Sequence, residues 1–255
     1  MALWRYVDNI EMERTSFHKK RVSADAYICC PGPSLNLINP EDLKKPGVTT
    51  FGINRSYPYI KPDVWFGMDF PQCYPREVFW ESFVKIMRGG MQGFSCEGHH
   101  LSVCPNLYFA DCKETDNVGL VFEFDSDDMI FAWTNNVMLI ALNIVLWMGY
   151  KRIHFLGCDF STEEGDYHDG IKELSDENRR RNNILYDQLN NFLKYFSEQG
   201  NERGVKVFSC TPDSRINEYL PYVPLKTATQ STQDEHSIPS GGKLFHSKDL
   251  KGVIF

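Results

Sequence analysis

Tyr27-Ile28-Cys29-Cys30-Pro31-Gly32-Pro33-Ser34-Leu35 is an apolar run broken by Pro-Gly-Pro and then by a serine. Ala24 to Cys30 reads as a buried strand that stops at Pro31-Gly32-Pro33, and Ser34 stands where a helix N-cap would be. A glycine in such a turn lets backbone N–H groups approach a phosphate, and a helix N-terminus behind it adds a favourable dipole. The bland alternative is a tight turn with no ligand.

Working outward, Val48 to Ile53 reads as a second strand, delivering Asn54 at its carboxyl end. Val64 to Met68 is a third, delivering Asp69. Between Pro71 and Phe131 the pattern weakens. Arg76 to Arg88 has helical spacing (Phe79, Phe83, Ile86, Met87), whereas Leu107 to Ala110 and Leu120 to Phe124 look like short strands. Asn135 to Met148 is apolar almost all round, the signature of a buried helix, and Gly149 is its stop. Arg152 to Gly157 is a strand delivering Asp159. Asp176 to Gln199 carries Ile184, Leu185, Leu189, Phe192, Leu193 and Phe196 on one stripe, and Val205 to Cys210 is a further strand. Apolar strands without alternation, interleaved with helices, predict an α/β fold built on a mainly parallel sheet with helices on both faces. Ligands of such sheets bind beyond the carboxyl ends of the strands, where Ser34, Asn54, Asp69, Asp159 and Ser214 fall. Residues 1–23 are expected to be an N-terminal extension and 24–225 the catalytic domain. Residues 226–255 form a tail; its Thr227 to Gly242 stretch, rich in Ser, Thr, Gln and Gly, is either a linker or a lid.

Composition excludes several classes. The 255 residues are 42% hydrophobic, 14% aromatic and 24% charged, an ordinary globular profile. A net charge of −7 argues against a broad basic surface for nucleic acid, although Arg179-Arg180-Arg181 and His18-Lys19-Lys20-Arg21 are compact positive runs. There is no apolar run of membrane-spanning length and no signal-peptide pattern, so a cytoplasmic location is expected. The eight cysteines read as reduced, mostly core thiols. Cys96, His99, His100 and Cys104 have the residue types of a zinc site but not its paired C-x-x-C halves.

Four blocks in order resemble bacterial lipo-oligosaccharide sialyltransferases. Pro31-Gly32-Pro33-Ser34-Leu35 is similar to their G-x-G-P-S-L turn. Gly52-Ile53-Asn54-Arg55-Ser56-Tyr57 is similar to their C-N-x-F-Y segment. Thr134-Asn135-Asn136, continued through Gly149-Tyr150-Lys151-Arg152-Ile153-His154-Phe155-Leu156-Gly157-Cys158-Asp159-Phe160, resembles their T-S-G and A-x-x-x-G-Y-K-E-I-Y-L-x-G-I-D-F block. Val207 to Ser214 resembles their Y-C-L-C-P-N-S block. The turn equally resembles a related Rossmann-like family that includes the archaeal 6-hydroxymethylpterin diphosphokinase. The blocks span residues 26–224 and imply a Rossmann-like, single-domain, glycosyltransferase-A-like fold with a lid.

The resemblance further implies a glycosyltransferase using a nucleotide-sugar donor, with a glycan, a small molecule or a modified nucleic-acid base as acceptor. Gly32, Pro33, Ser34, Asn54 and Ser214 would meet the nucleotide, Asn135 and Asn136 its phosphate and sugar, and Tyr167 would match one of two tyrosines on the departing phosphate. Ser161 stands where the other tyrosine is expected, and no histidine occurs near Arg181 or Asn182, where the family carries its base. His168 is the candidate base in its place, since histidine titrates near neutrality; it is equally an idle loop residue. Arg181 could neutralise phosphate. Asp159 and Asp69 are strand-end carboxylates that either bind Mg²⁺ on a diphosphate or cap turns. His154, inside a strand, reads as a core residue. Two other functions compete: a Mg²⁺-dependent diphosphokinase or nucleotide transferase, and a non-catalytic nucleotide-binding module. A homo-oligomer is left open.

Overall fold

A computed structural model of the chain describes residues 2–7, 10–115, 117–162, 167–170 and 174–234. In chain order the strands and helices are β1 (Leu3–Val7), β2 (Glu11–Thr15), β3 (Asp25–Cys29), β4 (Val48–Ile53), β5 (Val64–Gly67), β6 (Val84–Arg88), β7 (Ser95–Cys96), β8 (His99–His100), β9 (Leu107–Ala110), β10 (Cys112–Glu114), β11 (Phe131–Trp133), α1 (Val137–Trp147), β12 (Arg152–Leu156), α2 (Asp176–Glu202), β13 (Lys206–Ser209) and α3 (Leu225–Asp234). They fall into two compact units, Met1–Val22 with Phe51–Gly149, and Ser23–Thr50 with Tyr150–Ser240, and β4 is cut by the boundary.

In the unit holding the N-terminus the strand order is β4-β5-β6-β9-β1-β2. β4, β5, β6 and β9 run parallel, and β1 adds antiparallel to β9 and carries β2 on its other edge. β5 is buried along its whole length, as a parallel strand covered on both faces must be. Ten of the eleven residues of α1 are buried; the Asn136 side chain caps its first turn by accepting from Leu139 N at 3.2 Å. Asn143, buried in that helix, is satisfied by donating to Val121 O at 2.8 Å and accepting from Ala132 N.

The other unit has the parallel order β13-β12-β3 followed by the first half of β4, with α2 and α3. Leu189, Phe192, Leu193 and Phe196 of α2 are buried as its stripe predicts, whereas Ile184 stays 47% exposed. Among the described residues no helix is long and apolar enough to cross a membrane.

Several expectations are corrected. Residues 3–7 and 11–15, read as part of an extension of uncertain structure, are sheet strands; Trp4 stacks on Phe109 at 4.6 Å and is buried with Leu3. Arg76 to Arg88 is not a helix but a 3-10 turn (Arg76–Trp80) followed by β6. The junction of a turn with a strand buried from Val84 to Met87 happens to space Phe79, Phe83 and Ile86 like a helix face. Leu120 to Phe124 is no strand; Val118–Phe122 forms a 3-10 turn. Of the Thr227 to Gly242 stretch, the part up to Asp234 lies in α3, with Ala228, Thr229 and Thr232 buried, and the remainder lies outside the described residues. Its hydroxyls are satisfied within the fold, Ser231 by Ala228 O at 2.8 Å inside the helix and Thr232 by the buried Asp25 carboxylate of β3.

Candidate functional site

β3 delivers the Pro31–Ser34 turn and β12 delivers Asp159, and in their unit the two meet. A Cβ added at Gly32 would lie 2.0 Å from Asp159 Oδ2 and 2.6 Å from Gly157 O, so only glycine fits there. The turn is tight because a carboxylate packs against it. Gly32 N donates to Gly157 O at 2.9 Å, Ser34 N to Asp159 Oδ2 at 3.3 Å and Leu35 N to Gly32 O at 3.0 Å. Pro31 and Pro33 have no N–H. The expected backbone cradle for a phosphate is therefore not available, because every N–H of Gly32 to Leu35 is already donated within the protein. Nor does an α-helix follow. Pro33–Leu37 is a single 3-10 turn whose N-cap is Gly32, with Ser34 inside it, so no helix dipole stands behind the turn. What remains is Ser34 Oγ, which is buried and has no hydrogen-bond partner among the described residues.

The exit of β12 is held in an unusual conformation. Gly157 has φ 60, where a side chain would strike Cys30 O, and Phe160 has φ 52, a left-handed value that a phenylalanine rarely takes. Ser214 secures this bend. Its hydroxyl donates to Cys158 O at 2.6 Å and accepts from Ile216 N at 3.2 Å, and Arg215 reaches Phe160 O. Ser214, expected to bind nucleotide, thus has its hydroxyl engaged in positioning Asp159.

His168 joins the same cluster through its backbone. Its N–H donates to Pro31 O at 2.9 Å and its carbonyl accepts from Asn36 Nδ2 at 2.7 Å. Tyr167 and His168 are half-buried. Arg181 does not join: it is exposed on α2 and paired with Glu177 at 2.9 Å, as Arg180 is at 3.1 Å. These guanidinium groups hold the Glu177 carboxyl below its ordinary range, Arg180 most strongly. The bland reading of the arginine run, a solvated helix face with i,i+3 and i,i+4 pairs, is the observed one.

In the other unit, Asn54 follows β4 with φ 49, and its carbonyl accepts from Trp65 Nε1 at 2.8 Å. Its Oδ1 and Asp69 Oδ2 share the Tyr74 hydroxyl, at 3.2 and 3.4 Å, while Asp69 N donates to the same oxygen at 2.8 Å. Burial, then the Asp69 charge, pushes the Tyr74 phenol far above its usual range, so it stays a donor. Asn135 is exposed with φ 55 and donates to Glu114 at 3.4 Å, and Asn136 is spent as the cap of α1.

The fold allows a comparison with known proteins. No family model and no curated protein sequence matches the chain. Among solved structures, the sialyltransferase CstII from Campylobacter jejuni, in complex with the substrate analogue cytidine-5'-monophosphate, matches with a TM-score of 0.50. The match covers 91% of this chain and 100% of that one at 13% identity. The fold is similar to that of CstII. CST-II in complex with a trisaccharide acceptor and CMP matches at TM-score 0.47, 14% identity and coverage of 80% and 87% of the two chains. The monofunctional alpha-2,3-sialyltransferase Cst-I from Campylobacter jejuni matches at 0.41, 15% identity and coverage of 80% and 82%.

Tyr186 escapes sequence reasoning. It lies on α2, stacked on Phe160 at 5.2 Å, within electrostatic reach of Tyr167 and Asp159. Burial first, then the neighbouring Tyr167, raises its phenol well above the usual range. Its half-polar helix position gives no local signal. Among the described residues no group of three or more His, Cys, Asp or Glu could hold a metal ion. Cys96 and Cys104 are buried while His99 and His100 are exposed, and His100 Nδ1 accepts from Ser102 N. None of the eight cysteines is in a disulfide. His154 is the core residue expected, stacked between Tyr27 and Phe208 and bonded to Asp25 at 3.2 Å.

Proposed function

We propose that the protein is a glycosyltransferase that moves a sugar from a nucleotide-sugar donor to a hydroxyl acceptor. One observation carries this reading: a sheet similar to that of CstII brings an Asp159 carboxylate, a buried unpartnered Ser34 hydroxyl and the His168 loop to one strand-end turn. Since the turn offers a carboxylate and a hydroxyl rather than open N–H groups, Gly32, Pro33 and Ser34 suit the hydroxyl and amino donors of a nucleoside or sugar better than its phosphate.

Transfer forms a bond from the acceptor oxygen to the anomeric carbon and breaks the bond from that carbon to the phosphate oxygen. His168 takes the acceptor proton, and the nucleotide leaves with the bonding pair. The Tyr167 and Tyr186 phenols donate hydrogen bonds to that leaving group; burial keeps Tyr186 protonated for the task. Asp159 orients the donor beside them. Asp69 and Asp159 are engaged by Tyr74 and Ser34 respectively and join no larger ligand group among the described residues, and the step is derived without a metal.

The test is a panel of CMP-, UDP- and GDP-sugars, scored by donor hydrolysis and by transfer. One donor should be turned over, and His168→Ala should lower kcat/KM by about a hundred-fold. Wild-type rates in both His168→Ala and Tyr167→Phe would refute the assigned roles, and turnover of no donor would refute the activity.

A further inference from the structure

Cys30 directly follows β3 and Cys158 lies just beyond β12, each immediately before a residue of the strand-end turn, Pro31 and Asp159. We propose that the two thiols are a redox modification site: a hydroperoxide closes them to a disulfide, and the closed form releases the Ser34 N–H from Asp159.

β3 and β12 pair in parallel with Leu156 opposite Cys29. Continued straight, the register would set Gly157 opposite Cys30, and alternation would send the Cys158 side chain to the other face of the sheet. Gly157 breaks that register. Its φ of 60 carries the chain across Cys30, so close that a Cβ on residue 157 would lie 2.3 Å from Cys30 O. The Cys158 thiol is thereby hydrogen-bonded to the thiol of Cys30. Both backbones are fixed around the pair. Cys30 N donates to Leu156 O at 2.8 Å, Cys158 N donates to Thr211 Oγ1 at 3.1 Å, and Cys158 O accepts from Ser214 Oγ at 2.6 Å. Two sulfurs held face to face in a fixed frame react with one another far more readily than two thiols that must first meet. The Tyr186 phenol is within electrostatic reach of both sulfurs and of Asp159, so the pair belongs to the candidate site.

The two thiols are unequal. Cys30 is the less buried, at 7% exposure against 2% for Cys158. The hydrogen bond with Cys30, then burial, raises the Cys158 thiol well above its ordinary range, so it keeps its proton while Cys30 reacts. With hydrogen peroxide, the Cys30 sulfur attacks one oxygen and the O–O bond breaks. Cys30 becomes a sulfenic acid, and its proton leaves with the other oxygen as water. The Cys158 sulfur then displaces the sulfenic hydroxyl, which takes the Cys158 proton and leaves as a second water. Two electrons pass from the thiols to the peroxide, and one S–S bond is formed. That bond is only about 2.05 Å long, much shorter than the approach of two hydrogen-bonded sulfurs. Closing it drags Cys158, and Asp159 with it. Ser34 N stands 3.3 Å from Asp159 Oδ2, already at the long end of a hydrogen bond, so a small displacement breaks the contact.

The experiment treats the full chain with hydrogen peroxide, blocks the remaining thiols and maps the unreduced peptides by mass spectrometry. Amide exchange of Ser34 is followed in parallel by NMR. A peptide pair joined through Cys30 and Cys158 should appear, lighter by two hydrogens, and dithiothreitol should abolish it. In the joined form Ser34 N–H should exchange about ten-fold faster, the worth of one hydrogen bond. Cys158→Ser should stop at the Cys30 sulfenic acid, captured by dimedone, and Cys30→Ser should give neither product. Three results overturn the inference: oxidation of the exposed Cys73 while Cys30 and Cys158 stay thiols, oxidation of Cys158 in Cys30→Ser as fast as in the wild type, or unchanged Ser34 exchange in the joined form. Should either variant fail to fold, the wild-type map and exchange decide the matter. Neither readout needs a donor to be turned over, so failure of the proposed glycosyl transfer would be a separate result.

Discussion

The turn after β3 and a cavity after β5 both follow a parallel strand, yet they are built on opposite principles. At Pro31–Ser34 the backbone donors are consumed: by a carbonyl two residues before Asp159, by the Asp159 carboxylate itself, and within the 3-10 turn. A serine hydroxyl is left over among the described residues. At Pro71–Glu77 the polar groups are exposed side chains around open space. The lesson is that a glycine-rich turn does not by itself make a phosphate site. The glycine at position 32 is required by a carboxylate of the same chain, and recognition passes to the few groups that folding has not already used.

The same opposition governs buried charge. Asp25 in β3 is wholly buried; burial alone would raise its pKa, but hydrogen bonds from His154 and Thr232, the His154 charge and the Arg152 guanidinium at 2.7 Å outweigh it and hold the carboxyl below its ordinary range. Lys85 in β6, equally buried, donates to the carbonyls of Glu81 and Phe83 and forms no ion pair among the described residues, and burial lowers it to about 7. One unit keeps its buried ion by pairing it, and the other relieves the cost by letting the proton go.

The contrast between crowded turn and open surface can be broken most severely at glycine. Gly32→Ala must push apart Asp159 and Gly157 and should cost about 3 kcal/mol in denaturant unfolding. Gly93→Ala, with nothing within 4 Å of its added Cβ among the described residues, should change stability by less than about 0.5 kcal/mol. Equal effects at the two positions would refute the crowding argument.

The two buried charges sharpen it through pH. Asp25 has a folded pKa below its unfolded one, so its contribution is present above about pH 4 and is lost as pH falls through the folded value. Lys85 has the opposite linkage. The unfolded chain binds the extra proton between about pH 7 and pH 10, so stability from this group rises across that window. Lys85→Met should abolish the alkaline rise while leaving the acid limb, and urea midpoints across pH would show it.

The smallest effect is the most specific. Ser34→Ala removes a hydroxyl that has no hydrogen-bond partner among the described residues, so stability should hold within about 0.5 kcal/mol. Donor affinity should fall about ten-fold, the worth of one hydrogen bond. A stability loss with unchanged donor binding would show that the serine serves packing alone.

Apolar period and punctuation were enough to place β3, β4, β5, β9, β12 and β13 and the two long helices, because burial on both faces forces unbroken apolar runs and helix ends carry their own stops. They also located Gly32, Asn54, Asp69 and Asp159 at strand ends. They misjudged Arg76 to Arg88, where a turn and a buried strand imitate helical spacing, and the threonine-rich start of the tail, which forms α3 and buries the Thr232 hydroxyl against Asp25. What only the tertiary structure decided was which polar groups remained to bind anything. Ser34 N is taken by a carboxylate 125 residues away, Ser214 by a carbonyl 56 residues away, and Tyr186 meets Phe160 from a different element. A local pattern reports whether a group can bond; only the packed chain reports whether it already has.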